Sequence, residues 1–268
     1  MKKMASFWKS LLPVIFLFIL QVVATIPVMI IFILKERSTT GDDITAIHVS
    51  LSDITSNQQY LQTVNIVYGI LALLIFGIWY QRVFVRPFRN RPKKQPTGYS
   101  FHTIVSMIFL GIGLQYVTTL LTDLIGRLHP ESQGYSDLSV MLIVYSVIMA
   151  PIIEELIFRG LIFRYARHAM PFWFANIWQA LLFGFVHLNL VQSIYAFVMG
   201  LFLGWVCRRG HGIRYSIPVH IVFNIIGCFF AGLISISLMF SYAGFAVFGV
   251  VLTIFALWLV YTDFQTTK

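Results

Sequence analysis

The feature that most restricts the fold of this sequence is a series of apolar segments, each about as long as a bilayer is thick. A transmembrane helix needs roughly 20 consecutive, mainly apolar residues. Charged residues make up only 11% of the 268 residues, against about 25% in soluble domains. The segments are predicted at 7–34, 60–80, 101–125, 138–165, 171–189, 192–207, 215–238 and 242–262. We therefore expect an all-α, polytopic transmembrane helix bundle of about eight helices, embedded in a lipid bilayer.

The placement of the basic residues predicts how the bundle is oriented. The net charge of +9 comes from short connections between apolar segments, a pattern typical of membrane topology and not of a nucleic-acid-binding face. With both termini cytoplasmic, fifteen Lys and Arg residues lie inside and three outside, with Arg159 set aside as intramembrane. The positive-inside rule therefore predicts cytoplasmic termini and, given the compact length, a bacterial cytoplasmic membrane. The basic linker 89–96 is either a topology determinant or a contact for anionic lipid headgroups.

The chain divides into three predicted parts. Residues 1–136 hold the first three helices with their external and basic cytoplasmic loops, 137–240 form the helical core that carries the chemistry, and 241–268 form the last helix. Cys207 and Cys228 lie in or beside apolar segments without metal-ligand spacing, so we expect no disulfide partner.

The fourth segment contains ionisable residues where a membrane helix normally has none. Each Glu at a helix centre disfavours insertion by roughly 2.5–3.5 kcal/mol, yet Glu154 and Glu155 are adjacent there. Glu155 and Arg159 stand four residues apart, so they share a helix face and are expected to pair. Glu154 points about 100° away from that face and needs other partners. Pro151, three residues earlier, predicts a kink that opens the helix beside the carboxylate.

Two later segments offer those partners. The fifth ends on His187, four residues after Phe183, and the seventh carries His220 and Asn224 four residues apart. A single histidine on an apolar helix is usually a satisfied core residue, but three helices that each donate polar groups indicate one shared cavity, and such cavities mark function in membranes.

The chemistry of this cluster allows two readings. Glu154 and His187 could hold and deprotonate a water, with His220 and Asn224 donating hydrogen bonds to the developing oxyanion. Alternatively, Glu154, His187 and His220 could ligate a divalent metal such as zinc, whose bound water becomes the nucleophile. The chain has no His-Glu-x-x-His motif and no serine in a nucleophile motif. Water activation is therefore favoured, and the cofactor is either such a metal or none.

The ordered motifs resemble those of the CPBP family, the CAAX prenyl proteases and bacteriocin-processing enzymes also called the Abi family. The resemblance covers roughly residues 140–230 and rests on Glu154-Glu155-x-x-x-Arg159, Phe183-x-x-x-His187 and His220-x-x-x-Asn224. It implies an intramembrane endopeptidase, variously described in the family as a metalloprotease or a metal-independent glutamate protease. The implied roles are Glu154 with His187 to activate water, His220 with Asn224 at the oxyanion, and Glu155 with Arg159 as a supporting pair.

The expected substrate is a membrane-associated peptide or protein, approached from the cytoplasmic side. Two other functions stay open. One is a non-catalytic membrane scaffold or bacteriocin self-immunity protein. The other is a transporter with a carboxylate proton relay, which ranks last because this sequence shows no paired inverted repeat of broken helices. One spacing conflicts with a shared site. At about 1.5 Å per residue, His187 falls well outside the depth of Glu154 and His220. We expect a short, tilted hairpin of segments five and six to resolve this.

Overall fold

The bundle is helical throughout the part of the chain that the computed structural model describes. That part comprises residues 2–40, 51–88, 101–128, 140–210, 212–238 and 242–266, and it contains no strand. The helices are α1 (Lys2–Lys9), α2 (Leu12–Thr40), α3 (Leu51–Ser56), α4 (Gln58–Tyr80), α5 (Phe101–Leu128), α6 (Val140–Val144), α7 (Ala150–Glu154), α8 (Phe163–Ala169), α9 (Phe172–Phe185), α10 (Leu190–Arg209), α11 (Ile213–Leu238) and α12 (Tyr242–Thr266). The predicted all-α class is confirmed. The basic linker 89–96 and the predicted limits at 136/137 and 240/241 lie outside the described residues.

The helices follow the predicted apolar segments in order. Four are long and apolar enough to cross a membrane by length and composition: Lys2–Lys35, Gln58–Val85, Val140–Ala169 and Leu190–Arg209. Four shorter apolar helices fall within the other predicted segments: Ile104–Val117, Phe172–Phe185, Ile213–Cys228 and Val247–Leu259.

The distribution of side chains is that of a protein surrounded by lipid. Large apolar residues are exposed, with Ile31 60% and Ile254 62% accessible, whereas Glu155 and Arg159 are completely buried. A soluble monomer rarely exposes such extensive apolar surface and almost never buries charge in this way. The chain is an integral membrane protein.

The fourth predicted segment is one continuous but irregular helix. Residues Tyr145–Met149 form a π-helical turn before α7, and Glu155–Ile162 form a second π-helical stretch before α8. Pro151 lies near the start of α7, and its ring would crowd the carbonyl four residues earlier in a regular helix. The chain therefore accommodates the predicted disruption as a wide turn beside Pro151, a geometry often found at functional sites.

Within the described residues, basic side chains predicted to be cytoplasmic gather at one end of the bundle. Arg164 donates to the Tyr80 hydroxyl at 3.1 Å, and the Arg208 guanidinium lies 4.3 Å from the ring centre of Phe172. These contacts and the packing of α1 on α8 place several helix ends together. They are the last residues of α4, α8 and α10 and the first residues of α1 and α9. We call this end of the bundle the basic end. The opposite end, which carries residues 186–189 and α3, is the turn end.

Helices α9 and α10 pack closely because α10 presents Gly200 and Gly204 to α9. A Cβ at Gly200 would lie 3.0 Å from the Ala180 Cβ, and one at Gly204 would overlap Asn176 Oδ1. Gln179 Nε2 donates to both Asn176 Oδ1 and the Gly200 carbonyl, at 2.9 and 2.8 Å. Gly200 and Gly204 form a Gly-x-x-x-Gly pattern, which allows this close approach of two helices, and a buried amide network depends on it.

We expect Gly204→Ala to destabilise the bundle, because the added methyl group displaces a buried, hydrogen-bonded amide. The expected loss is about 1–3 kcal/mol in free energy of unfolding, measured by denaturant titration in detergent micelles. Gly77→Ala in α4 is the matched control, since a Cβ there meets no atom within 4 Å. Equal stability of the two variants would contradict the packing role of Gly204.

Candidate active site

The innermost part of the site is a buried ion pair. Arg159 Nη1 donates to Glu155 Oε1 at 2.8 Å, and both side chains have zero exposure. Arg159 Nη2 also donates to the Gly200 carbonyl at 3.3 Å, and its guanidinium lies 4.5 Å from the Phe183 ring centre. The contact predicted from the four-residue spacing is present. Arg159 in addition links the fourth segment to α9 and α10.

His220 connects this ion pair to the second glutamate. Its Nδ1 lies 3.0 Å from Glu155 Oε1, and its Nε2 lies 3.4 Å from Glu154 Oε2. The imidazole is 1% exposed, whereas the Glu154 side chain is 26% exposed. Glu155, Arg159 and His220 are thus buried, and Glu154 is the partly exposed member of the cluster.

The cluster holds two carboxylates, one guanidinium and one imidazole. A buried charge without a partner is costly in a low-dielectric interior, and Glu155 has its partner in Arg159 at 2.8 Å. Both ring nitrogens of His220 face a glutamate oxygen, at 3.0 and 3.4 Å, so the imidazole lies between Glu155 and Glu154. The partly exposed carboxylate of Glu154 is therefore the member of the cluster that a water or substrate can reach.

His187 is held at the tight turn that ends α9. Its Nδ1 lies 2.7 Å from the Phe183 carbonyl. A carbonyl only accepts, so Nδ1 carries the proton and Nε2 is left as the acceptor. The next residue, Leu188, has φ 54°, a left-handed conformation that costs a non-glycine residue about 1–3 kcal/mol. Asn189 then caps α10 by accepting from the Gln192 amide at 3.1 Å.

The Phe183 ring places His187 near His220. Its centre lies 5.0 Å from the His187 ring centre and 5.8 Å from that of His220. Helix α9 has 14 residues, so it spans about 21 Å of the roughly 30 Å hydrocarbon core. The predicted short fifth segment is therefore present, whereas α10, with 20 residues, is long enough to cross a membrane. The ring contacts place His187 one phenylalanine ring away from His220.

The pairing of Glu154 with His187 is less direct than the sequence suggested. In the described part of the chain, Glu154 makes its ion-pair contact with His220, while His187 binds the Phe183 carbonyl. A shared water or substrate is required to couple Glu154 to His187. Their joint action on water stays a prediction.

Asn224 lies one turn beyond His220 on α11 and borders a cavity. Its Nδ2 donates to the Ser146 carbonyl at 2.7 Å, in the π-helical turn before α7. The cavity has a volume of about 420 Å³ and is lined by residues of α5, α10, α11 and that turn. The amide is thus fixed at the wall of a space large enough for a ligand.

Comparison with known proteins bears on the family that the motifs resemble. Residues 136–226 match the family model described as Type II CAAX prenyl endopeptidase Rce1-like, a range that contains all six motif residues. The chain is also 25% identical over 174 residues to "Putative membrane peptidase YdiL" of Bacillus subtilis (strain 168), covering 63% of this chain and 71% of that protein. No solved structure gave a significant match. Both matches support the resemblance to the CPBP family.

Three tyrosines beside the CPBP motifs were missed by the sequence analysis. Tyr68 of α4, Tyr145 of the π-helical turn and Tyr195 of α10 lie close enough to Glu154 for its charge to act on their hydroxyl groups. The sequence does show that these three hydroxyl groups lie within apolar segments, and this could have marked them as candidate site residues. A hydroxyl group can donate a hydrogen bond, so these tyrosines are candidate donors to a ligand near Glu154.

The metal-dependent reading of CPBP chemistry needs three donors that converge. Among the residues described, no three side chains of His, Cys, Asp or Glu lie close enough to hold a metal ion. Glu154 and His220 are adjacent, but His187 is turned toward the Phe183 carbonyl. The three predicted metal ligands Glu154, His187 and His220 therefore do not converge as a metal site requires.

Proposed function

We propose that this protein is an intramembrane endopeptidase of a bacterial cytoplasmic membrane. It hydrolyses a peptide bond in a membrane-associated peptide or protein by a water that Glu154 activates. The observation that carries the proposal is the position of Glu154, whose exposed carboxylate meets His220 in front of a buried ion pair. A purely structural carboxylate would be enclosed by its partners, as Glu155 is.

The proposed first step is attack of water on the substrate carbonyl. Glu154 accepts one proton from the water, and the remaining hydroxide oxygen forms the bond to the carbonyl carbon. His187 assists by accepting a hydrogen bond from the same water at Nε2, the ring nitrogen left free by the Phe183 carbonyl. The carbonyl π electrons move to its oxygen and create the oxyanion.

Stabilisation of that oxyanion is assigned to His220 and Asn224. The imidazolium of His220 donates from Nε2, and its charge is supported by Glu155 at Nδ1. The Asn224 amide is held by the Ser146 carbonyl through one of its two hydrogens, which leaves the second for substrate. Collapse of the intermediate breaks the C–N bond, and the proton held by Glu154 passes to the leaving amine.

The function is tested by reconstituting the full chain in lipid vesicles and supplying membrane-associated peptides, with and without a prenylated C-terminal CAAX sequence. Mass spectrometry detects the products. A single turnover in H₂¹⁸O should place the label in the new carboxyl group, whereas direct attack by Glu154 would place it first in that side chain. Activity should survive a metal chelator. Absence of cleavage of every peptide, with an intact fold, would favour the scaffold or immunity alternative.

We expect Asn224→Ala to lower kcat by about 10²–10³-fold with little change in KM, because loss of one oxyanion donor acts mainly on the transition state. Steady-state kinetics on the best cleaved peptide checks this result. Thr63→Ala in α4 is the control for general loss of a hydrogen-bonded polar side chain, since Thr63 is not among the residues that line the cavity, and it should leave kcat within about twofold. A change confined to KM in Asn224→Ala would contradict the oxyanion role.

A further inference from the structure

The lining of the cavity beside Asn224 shows in which direction the cavity extends. It comes from the start of α10 and the residue before it, from α11 beyond His220, from Gln115 of α5, and from the π-helical turn that precedes α7. The starts of α10 and the π-helical turn are the parts of those elements nearest the turn end, since α8 and α10 finish at the basic end. The cavity therefore extends from the site toward the turn end.

The lining is polar but uncharged. It contains no Asp, Glu, Lys or Arg, and its polar members are Gln115, Ser146, Asn189, Gln192, Tyr195 and Asn224. Side-chain amides both donate and accept hydrogen bonds, as a peptide main chain does. An unwound peptide within a bilayer must have every N–H and C=O satisfied, and it needs partners of this kind.

We infer that this cavity binds an unwound, uncharged peptide segment of the substrate that enters from the turn end. The inference rests on the proposed function and specifies its substrate class. The charge distribution predicts that the turn end faces outward, so the substrate approaches from the outer side of the membrane. This differs from the cytoplasmic approach that the sequence suggested.

Two native cysteines allow the direction of access to be measured without any cleavage. Cys228 is exposed and lines the cavity, whereas Cys207 is buried. A membrane-impermeant thiol reagent applied to intact cells should modify Cys228. Two reporter cysteines, each made in a Cys228→Ser background, mark the two sides of the membrane: Thr55→Cys at the turn end and Arg214→Cys near the basic end. Cys228 should react with reagent from the same side as Thr55→Cys and not from the side of Arg214→Cys.

The labelling outcomes decide the access route. Access from the turn end is supported if Cys228 is modified from the same side as Thr55→Cys, at least tenfold faster than from the other side. Modification from the Arg214→Cys side overturns it, and so does no modification from either side, because a cavity that admits peptide admits the reagent. Since the Glu154→Gln variant serves equally well here, this result stands even if the protein proves not to be a protease.

The chemical class of the segment is tested with substrate variants. A lysine placed within two residues of the scissile bond should reduce cleavage at least tenfold relative to the uncharged parent. Gln192→Glu should restore cleavage of the lysine peptide and reduce that of a matched aspartate peptide. Equal cleavage of charged and uncharged peptides by the wild-type chain, or no exchange of preference in Gln192→Glu, would show that this cavity does not hold the segment.

Discussion

We expect Glu154→Gln to reduce kcat/KM for peptide cleavage by about 10³-fold or more while the folded protein remains in the membrane. The amide has the size of the carboxylate but cannot accept a proton from water, so the general-base contribution of about 10²–10⁴ is lost. The substitution leaves in place the buried contact of Glu155 with Arg159 and that of Glu155 with His220.

The stability of the variant separates a catalytic from a structural role. Because the Glu154 side chain is 26% exposed and makes one contact at 3.4 Å, the change should alter the free energy of unfolding by no more than about 1 kcal/mol. Glu154→Asp keeps the charge but draws it back by one methylene group, so it should retain partial activity. Cleavage by Glu154→Gln above a tenth of the wild-type value would remove Glu154 as the base.

Hydropathy and helical spacing were enough to predict the bundle and one contact of the site. The apolar segments matched helices because a bilayer imposes a length on each of them. The Glu155–Arg159 contact followed because residues four apart on a helix are neighbours whatever surrounds them. The first segment nevertheless divides into α1 and α2, and Pro13, at the second residue of α2, was the available signal for that start.

The contacts between helices could not be predicted in the same way. Nothing in the spacing of one chain says that His220 reaches both glutamates or that Phe183 lies between two imidazoles. These contacts depend on how α9 and α11 pack against the fourth segment. The depth of His187 that residue counting predicts stays a prediction, and counting along an ideal helix did not include the end of α9 at Phe185 and the strained turn that follows.

The adjacent glutamate should behave in the opposite way, because Glu155 is a positioning residue inside a buried ion pair. Glu155→Leu leaves the Arg159 guanidinium buried without its carboxylate, which should destabilise the fold by about 3–5 kcal/mol. Arg159→Met leaves the buried Glu155 without the guanidinium that neutralises it and should be destabilising as well. Denaturant unfolding in micelles measures the free energy of unfolding of these variants and of Glu154→Gln in parallel. The loss should be large for Glu155→Leu and small for Glu154→Gln.

The double variant Glu155→Leu/Arg159→Met separates stability from positioning. Replacement of both partners by apolar groups is often neutral, so it should be more stable than either single variant, with a coupling of about 1–3 kcal/mol. Activity should nevertheless stay low, because His220 has lost the acceptor at Nδ1 that supports its imidazolium.

The kinetics of the double variant give a readout that a merely structural role would not change. Full recovery of kcat together with stability would show that Glu155 and Arg159 only hold the helices together. A low kcat with recovered stability and an unchanged KM would show that they also position His220 for the oxyanion.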